Sequence, residues 1–263
     1  MAGQVRVESW TAGEDAAGAQ AVRVVLAHPG KRNAMSRAMW RQLRSVFEDL
    51  QHRPGLRCIV LQGEGEAFCA GGDISEYADF RFHPESLAAF HEGEVWPALH
   101  AMLQCDVPLV AAIDGACMGA GVELASCCDS RLAVDTAQFG APIAKLGFPM
   151  APREAALVLS QVGPAKTRQM LLEAAVFGAD QMQASGFLSQ VLPAAQLQAE
   201  LARTVARICG LAPQAARMTK QLLRALADGD AQARVLQQPY AYADSAEHRE
   251  GIAAFVAKRS PQF

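Results

Sequence analysis

Two short apolar runs, each followed by a turn of small residues, constrain the fold of this chain more than any other feature. The runs are Cys58 to Leu61 in "RCIVLQG" and Leu109 to Ile113 in "PLVAAIDG". Continuous apolar runs of this length are typical of buried strands in a parallel sheet. Segments with helical periodicity separate the strands, so we predict an α/β fold with largely parallel strands.

Further elements follow from local patterns. "QVRVESW" and "AVRVVLAH" alternate as strands and are expected to pair across a turn containing Gly13 and Gly18. Apolar residues recur at helical spacing from Ser36 to Leu50, with Ser36 as the cap, and a helix-like region spans Ser86 to Leu103. "SRLAVD" predicts another short strand.

The second half of the chain is predicted to be helical. After Arg153 the pattern is helical throughout, with breaks at glycines and prolines. We divide the chain into a core of residues 1–195 and a helical region of residues 196–263.

Composition excludes several function classes. With 51% hydrophobic residues, 19% charged residues and a net charge of -3, the chain is typical of a globular enzyme and does not attract nucleic acid. No apolar run is long enough for a bilayer, and the start "MAGQVRVESW" lacks the pattern of a signal peptide, so a cytoplasmic protein is expected. Seven cysteines without metal-ligand spacing predict free, mostly buried thiols, and the histidines form no metal motif.

The two small-residue turns, Gly63 to Ile74 and Asp114 to Glu123, are candidates for a site. Small residues allow backbone N–H groups to approach a ligand, and two such turns could direct two donors at one oxygen, as in an oxyanion hole. Ordinary structural turns are the alternative. A phosphate loop is disfavoured because no Gly-Lys-Ser/Thr follows either turn, and the dinucleotide fingerprint is absent.

At these residues the chain resembles the enoyl-CoA hydratase/isomerase family, also called the crotonase family. The resemblance runs nearly end to end and rests on "KRNAMS", "AFCAGGDI", "PLVAAIDGACMGAGVELASCCDSRLAVDTAQFGAP", "GADQMQASGFLSQVLP" and "EGIAAFVAKRSPQF". It implies a crotonase (ClpP-like) spiral of ββα units, a helical C-terminal region for trimerisation, and a homotrimer or dimer of trimers. It also implies a coenzyme A thioester as substrate, and we expect no cofactor beyond that coenzyme A. The residue patterns described above predict no metal and no membrane partner.

The resemblance assigns roles to individual residues. The two oxyanion donors fall on the backbone N–H groups of Gly72 and Ala120, where Ala120 replaces the commoner glycine. The first of the family's two catalytic glutamates matches Glu123, whose pKa we expect burial to raise. The coenzyme A moiety and the substrate are expected along the following residues: Lys31, Arg32, Asn33, Ala70, Asp73, Ile74 and Ile143.

Ile143 occupies the position of the family's second glutamate, which leaves the reaction open. Enoyl-CoA hydration is the leading prediction, and the alternatives are an isomerase, a decarboxylase, a thioester hydrolase or a catalytically weak acyl-CoA-binding protein. The segment "PMAPREAAL" also departs from the family pattern. Tyr77 is the first candidate to replace the missing acid, while seven other polar residues are expected to be surface or structural: Asp73, Glu76, His83, His91, Glu94, Lys145 and Glu154.

Overall fold

The computed structural model describes residues 2–10 and 20–263, so the predicted turn at Gly13 and Gly18 lies outside the described residues. The flanking strands, β1 (Gln4–Ser9) and β2 (Ala21–Ala27), pair antiparallel as predicted. The remaining strands are β3 (Cys58–Gly63), β4 (Ala67–Cys69), β5 (Leu109–Ile113), β6 (Ala116–Met118), β7 (Ser130–Val134), β8 (Gln138–Gly140), β9 (Val176–Gly178) and β10 (Gln190–Leu192).

The strands form two sheets. The larger has the order β1-β2-β3-β5-β7-β10 and is parallel beyond its first pair. The smaller has the order β4-β6-β8-β9, with only the β8–β9 pair antiparallel. Burial of every residue from Cys58 to Leu61 and from Leu109 to Ile113 explains why these two strands are continuously apolar.

The helices among the described residues are α1 (Arg37–Gln51), α2 (Pro84–Phe90), α3 (Trp96–Gln104), α4 (Ala120–Ser126), α5 (Pro152–Val162), α6 (Pro164–Leu172), α7 (Ala179–Ala184), α8 (Ala194–Cys209), α9 (Pro213–Asp228), α10 (Arg234–Gln237) and α11 (Ala246–Val256). The predicted first helix is confirmed as α1, and the Ser36 hydroxyl caps it by accepting the N–H of Met39. The predicted helix-like region Ser86 to Leu103 is α2 and α3 joined by a π-helix, His91–Val95.

The order of strands and helices confirms the predicted spiral. Three successive strand pairs, β3–β4, β5–β6 and β7–β8, each place the first strand in the larger sheet and the second in the smaller one. Helical segments follow each pair. As a result, the ends of β4 and β6 lie side by side in the smaller sheet.

The prediction that the chain is entirely helical after Arg153 is wrong, because β9 and β10 follow that residue. Each has three residues, too few to show an alternating pattern, and each is a strand because it pairs with a distant one, β8 or β7. The seven cysteines are free and buried, as predicted.

The C-terminal helices differ in how they contact the core. Leu197, Leu201 and Val205 of α8 are buried in the hydrophobic core, so α8 packs with the residues before it. Only Ala225 of α9 is buried. The division at residue 195 and a trimerisation role for residues 196–263 stay predictions. No helix in the described ranges has the length and apolar character needed to cross a bilayer.

Candidate active site

The two small-residue turns predicted from the sequence come together at the ends of β4 and β6. A β-carbon built on Gly119 would lie 3.7 Å from the Gly71 Cα, and one built on Gly121 would lie only 2.6 Å from the carbonyl oxygen of Cys69. A side chain at position 121 would therefore push the start of α4 away from β4. Small residues are required here by the close approach of two backbones.

The backbone N–H groups of Gly72 and Ala120 have no acceptor among the described residues. Ala120 is the first residue of α4, and the first N–H groups of a helix have no partner within it. Gly119 takes the positive φ of 49° at this turn, so Ala120 needs no left-handed conformation and its methyl group is tolerated. The substitution of alanine for the commoner glycine thus leaves a free donor.

Both residues border a pocket of about 340 Å³, within the size range of ligand sites. Its walls are largely apolar, and they include Trp40, Phe90, Leu146 and Phe148. Ala70, Ile74, Glu123 and Ile143 also line the pocket, so the structure brings these predicted site residues together.

Glu123 lies on α4, one turn after Ala120, and its residue surface is 9% exposed. Burial, and secondly the negative charge of Glu154, raises the pKa of Glu123 from 4.5 to about 8. The carboxyl group is therefore largely protonated at neutral pH. A protonated acid in an apolar pocket can donate a proton to a substrate atom.

The three residues of the first turn that we predict to bind coenzyme A differ from one another in exposure. Lys31 and Arg32 are exposed, whereas Asn33 is buried and its side-chain amide bonds the backbone of His28, Glu64 and Ala67. The Asn33 side chain therefore holds the turn that presents its two basic neighbours.

Asp73 is also buried and part of the local structure. It accepts from Lys31 Nζ at 2.6 Å and from Ser75, and these hydrogen bonds lower its pKa against the opposing effect of burial. Its carboxylate caps the 3₁₀ helix Ile74–Asp79 instead of pointing freely to solvent. It thereby fixes the chain direction just after Gly72.

Five of the candidate replacements for the missing glutamate fall into two groups. Glu94 and His83 do not line the pocket. Glu94 is paired with Arg37 and Arg41, and His83 is exposed at the start of α2. Three others line it: Tyr77, His91 and Lys145. A β-carbon on Gly72 would lie 2.1 Å from the Tyr77 hydroxyl, which places that hydroxyl beside the Gly72 donor.

Glu154 lies behind His91 and is almost completely buried, with a side chain 3% exposed. One of its carboxylate oxygens is 3.0 Å from Nδ1 of His91. The sequence does not predict that these two residues meet, because they are 63 positions apart and come together only through the packing of α5 against the π-helix. The one available signal was the departure of "PMAPREAAL" from the family pattern.

The fold and the pocket define a protein of ββα units in which two free backbone N–H groups border an apolar cavity beside a buried acid. A family-wide profile described as enoyl-CoA hydratase/isomerase matches residues 17–263. A probable enoyl-CoA hydratase of Mycobacterium tuberculosis is 32% identical over 91% of this chain and 93% of its own length. The 2,3-dehydroadipyl-CoA hydratase of Escherichia coli is 33% identical, with the same coverage of both chains.

A solved structure of the same family has the same fold. The crystal structure of an enoyl-CoA hydratase/carnithine racemase from Magnetospirillum magneticum superposes with a TM-score of 0.89 at 35% identity, covering 93% of this chain and 92% of that one. This chain belongs to the enoyl-CoA hydratase/isomerase family, and it is an enzyme of the hydratase/isomerase type.

Proposed function

We propose that this protein catalyses the reversible addition of water to 2-enoyl-CoA thioesters. The observation that carries the proposal is the pair of free N–H groups at Gly72 and Ala120, one helical turn from the protonated acid Glu123. The 2,3-dehydroadipyl-CoA hydratase of Escherichia coli and the probable hydratase of Mycobacterium tuberculosis support a hydration reaction by their similarity.

The chemistry uses both features of the pocket. Hydrogen bonds from the N–H groups of Gly72 and Ala120 to the thioester oxygen draw electrons from the conjugated double bond, so Cβ becomes open to attack by water. The same donors stabilise the enolate that forms, and one such donor is commonly worth about 100- to 1,000-fold in rate. Glu123 then delivers a proton to Cα, and its carboxylate regains a proton from the water that was added to Cβ. The reaction is redox neutral, and we propose no cofactor beyond the coenzyme A of the substrate.

The exposed basic pair Lys31 and Arg32 supports a position for the coenzyme A phosphates next to the first turn. Positive side chains attract phosphate, and Lys31 Nζ is already held by Asp73 and Ser75. Ala70, Ile74 and Ile143, in the pocket wall, would contact the thioester end and the acyl chain. The seven reduced, buried cysteines fit a reducing compartment, and we propose the cytoplasm.

A catalytically weak acyl-CoA-binding protein is the second candidate, because Ile143 in the pocket wall cannot transfer a proton. Incubation with crotonyl-CoA separates the two. We expect loss of enoyl-thioester absorbance with the wild type and a rate about 100- to 10,000-fold lower with Glu123→Gln. Tight acyl-CoA binding without turnover across a panel of chain lengths would favour the second candidate, and equal rates in the two proteins would exclude the proposed role of Glu123.

A further inference from the structure

The pocket contains an imidazole that the mechanism above does not use. His91 lines the pocket, and its side chain is 20% exposed. Its Nδ1 is bonded to Glu154, while Nε2 has no hydrogen-bond partner among the described residues. A carboxylate that accepts the Nδ1 proton fixes the tautomer in which Nε2 carries the lone pair.

The position of His91 is built by two elements that belong to different parts of the chain. It is the first residue of the π-helix His91–Val95, and π-helical turns inside helices are frequent at functional sites. The start of α5 packs against this turn through a hydrogen bond between His91 and Glu154 and an ion pair between Glu92 and Arg153. The Glu154 side chain is buried, whereas the side chains of Glu92 and Arg153 are 51% and 55% exposed.

Burial of Glu154 needs an explanation because a carboxylate removed from water costs free energy unless it is paired. In the described residues its hydrogen-bond partner is His91, and its charge also acts on Glu123. The segment that departs from the family pattern, "PMAPREAAL", supplies this carboxylate. Ile143 occupies the position of the family's second glutamate. The chain thus lacks a carboxylate at position 143 and has one at position 154, in neighbouring segments around one pocket.

We propose that His91, held by Glu154, is the second proton-transferring group of this enzyme and replaces the missing glutamate. This inference rests on the proposed hydration of 2-enoyl-CoA thioesters. His91 is a catalytic residue in it, because Nε2 contacts the attacking water. Glu154 is a positioning residue that acts through His91.

Nε2 of His91 takes a proton from water as the water oxygen bonds to Cβ, and the π electrons of the double bond move to the thioester oxygen to give the enolate. The enolate collapses to the thioester as Cα takes the proton of the Glu123 carboxyl group. The imidazolium proton then returns to the Glu123 carboxylate, so both groups are reset for the next turnover.

The first test compares His91→Gln with two matched controls in steady-state hydration of crotonyl-CoA. We expect kcat to fall about 100- to 10,000-fold with little change in KM, since a general base acts in the transition state. His100→Gln, on the exposed side of α3, and Glu85→Gln, at an exposed position of α2, are expected to keep the wild-type rate. Thermal unfolding midpoints of all variants show that each is folded.

The second test separates a catalytic from a structural role. His91→Ala leaves space for an added base, and we expect exogenous imidazole to restore part of its activity. Glu154→Gln is expected to lower kcat by about tenfold or more. The double variant His91→Gln/Glu154→Gln should be no slower than His91→Gln alone, because Glu154 acts only through His91.

The outcomes distinguish the proposed hydration reaction from the proposed role of His91. A wild-type protein that hydrates no enoyl-CoA overturns the proposed function and this inference with it. A wild-type protein that hydrates crotonyl-CoA while His91→Gln keeps its kcat overturns the inference alone. Losses in His91→Ala that imidazole does not restore, with additive losses in the double variant, would assign a structural role to the pair and also overturn the inference.

Discussion

Among single residues, the protonation state of Glu123 decides which chemistry the pocket can support. A carboxyl group with a pKa of about 8 keeps its proton at neutral pH, whereas a glutamate in the unfolded chain has lost it. Between about pH 4.5 and pH 8 the folded protein therefore binds one more proton than the unfolded chain at this site. By linkage, the stability of the fold decreases as pH rises through this window.

Glu123→Gln is consequently expected to stabilise the protein while it removes activity. The neutral amide avoids the cost of burying an ionisable acid, so the gain in free energy of unfolding should be small near pH 4.5 and larger near pH 7.5. Urea unfolding at both pH values measures it. Glu85→Gln, at an exposed position of α2, serves as the control and should show no such trend. A variant less stable than the wild type at the higher pH would contradict the raised pKa.

At the scale of elements, the contact between the start of α4 and the end of β4 sets the distance between the two donors. Gly121 makes this contact possible because the space for its β-carbon is filled by the Cys69 carbonyl group. Local patterns identify both turns because each follows an apolar strand. The Ser36 cap of α1 was also predictable from a local pattern, because Ser36 comes at the start of the helical spacing. β9, β10 and the His91–Glu154 pair were not predictable, since they depend on contacts between distant segments.

We therefore predict that Gly121→Ala lowers both the unfolding midpoint and the hydration rate. The added methyl group must displace α4 or the Cys69 carbonyl, and overpacking of this kind typically costs about 1–3 kcal/mol. Gly178→Ala is the matched control, because its backbone has an ordinary φ of -75° and its β-carbon would meet only the Gln138 side chain, at 4.0 Å. Equal melting temperatures and rates for the two variants would show that the contact is not tight.

At the scale of the whole molecule, α9 is attached to the core along one side and open on the other. Arg224 and Gln221 bond the Asp106 carboxylate, and Lys220 bonds Asp129. The opposite side carries Leu223 and Leu226, each 61% exposed. Exposed leucines next to an anchored, polar helix side are typical of an interaction surface, and we propose that this surface forms part of the homotrimer or dimer of trimers expected from the resemblance.

Leu226→Glu is predicted to shift the protein toward monomers without unfolding it, because the side chain is exposed within one chain and would place a charge in the contact between copies. Sedimentation velocity measures the shift, and circular dichroism checks the fold. Leu172→Glu, the same substitution at a residue 79% exposed on α6, is the control and should keep the wild-type assembly. A monomeric wild-type protein would contradict the proposed assembly.

In the proposed mechanism Gly72 and Ala120 hold the thioester oxygen, Glu123 protonates Cα, and His91 takes a proton from the water that attacks Cβ. A crystal structure of the protein with a bound acyl-CoA tests all three contacts. We predict the thioester oxygen within about 3 Å of both backbone nitrogens, with Cα beside Glu123 and Cβ facing Nε2 of His91. A thioester bound away from the two N–H groups, or acyl carbons out of reach of Glu123, would contradict this mechanism.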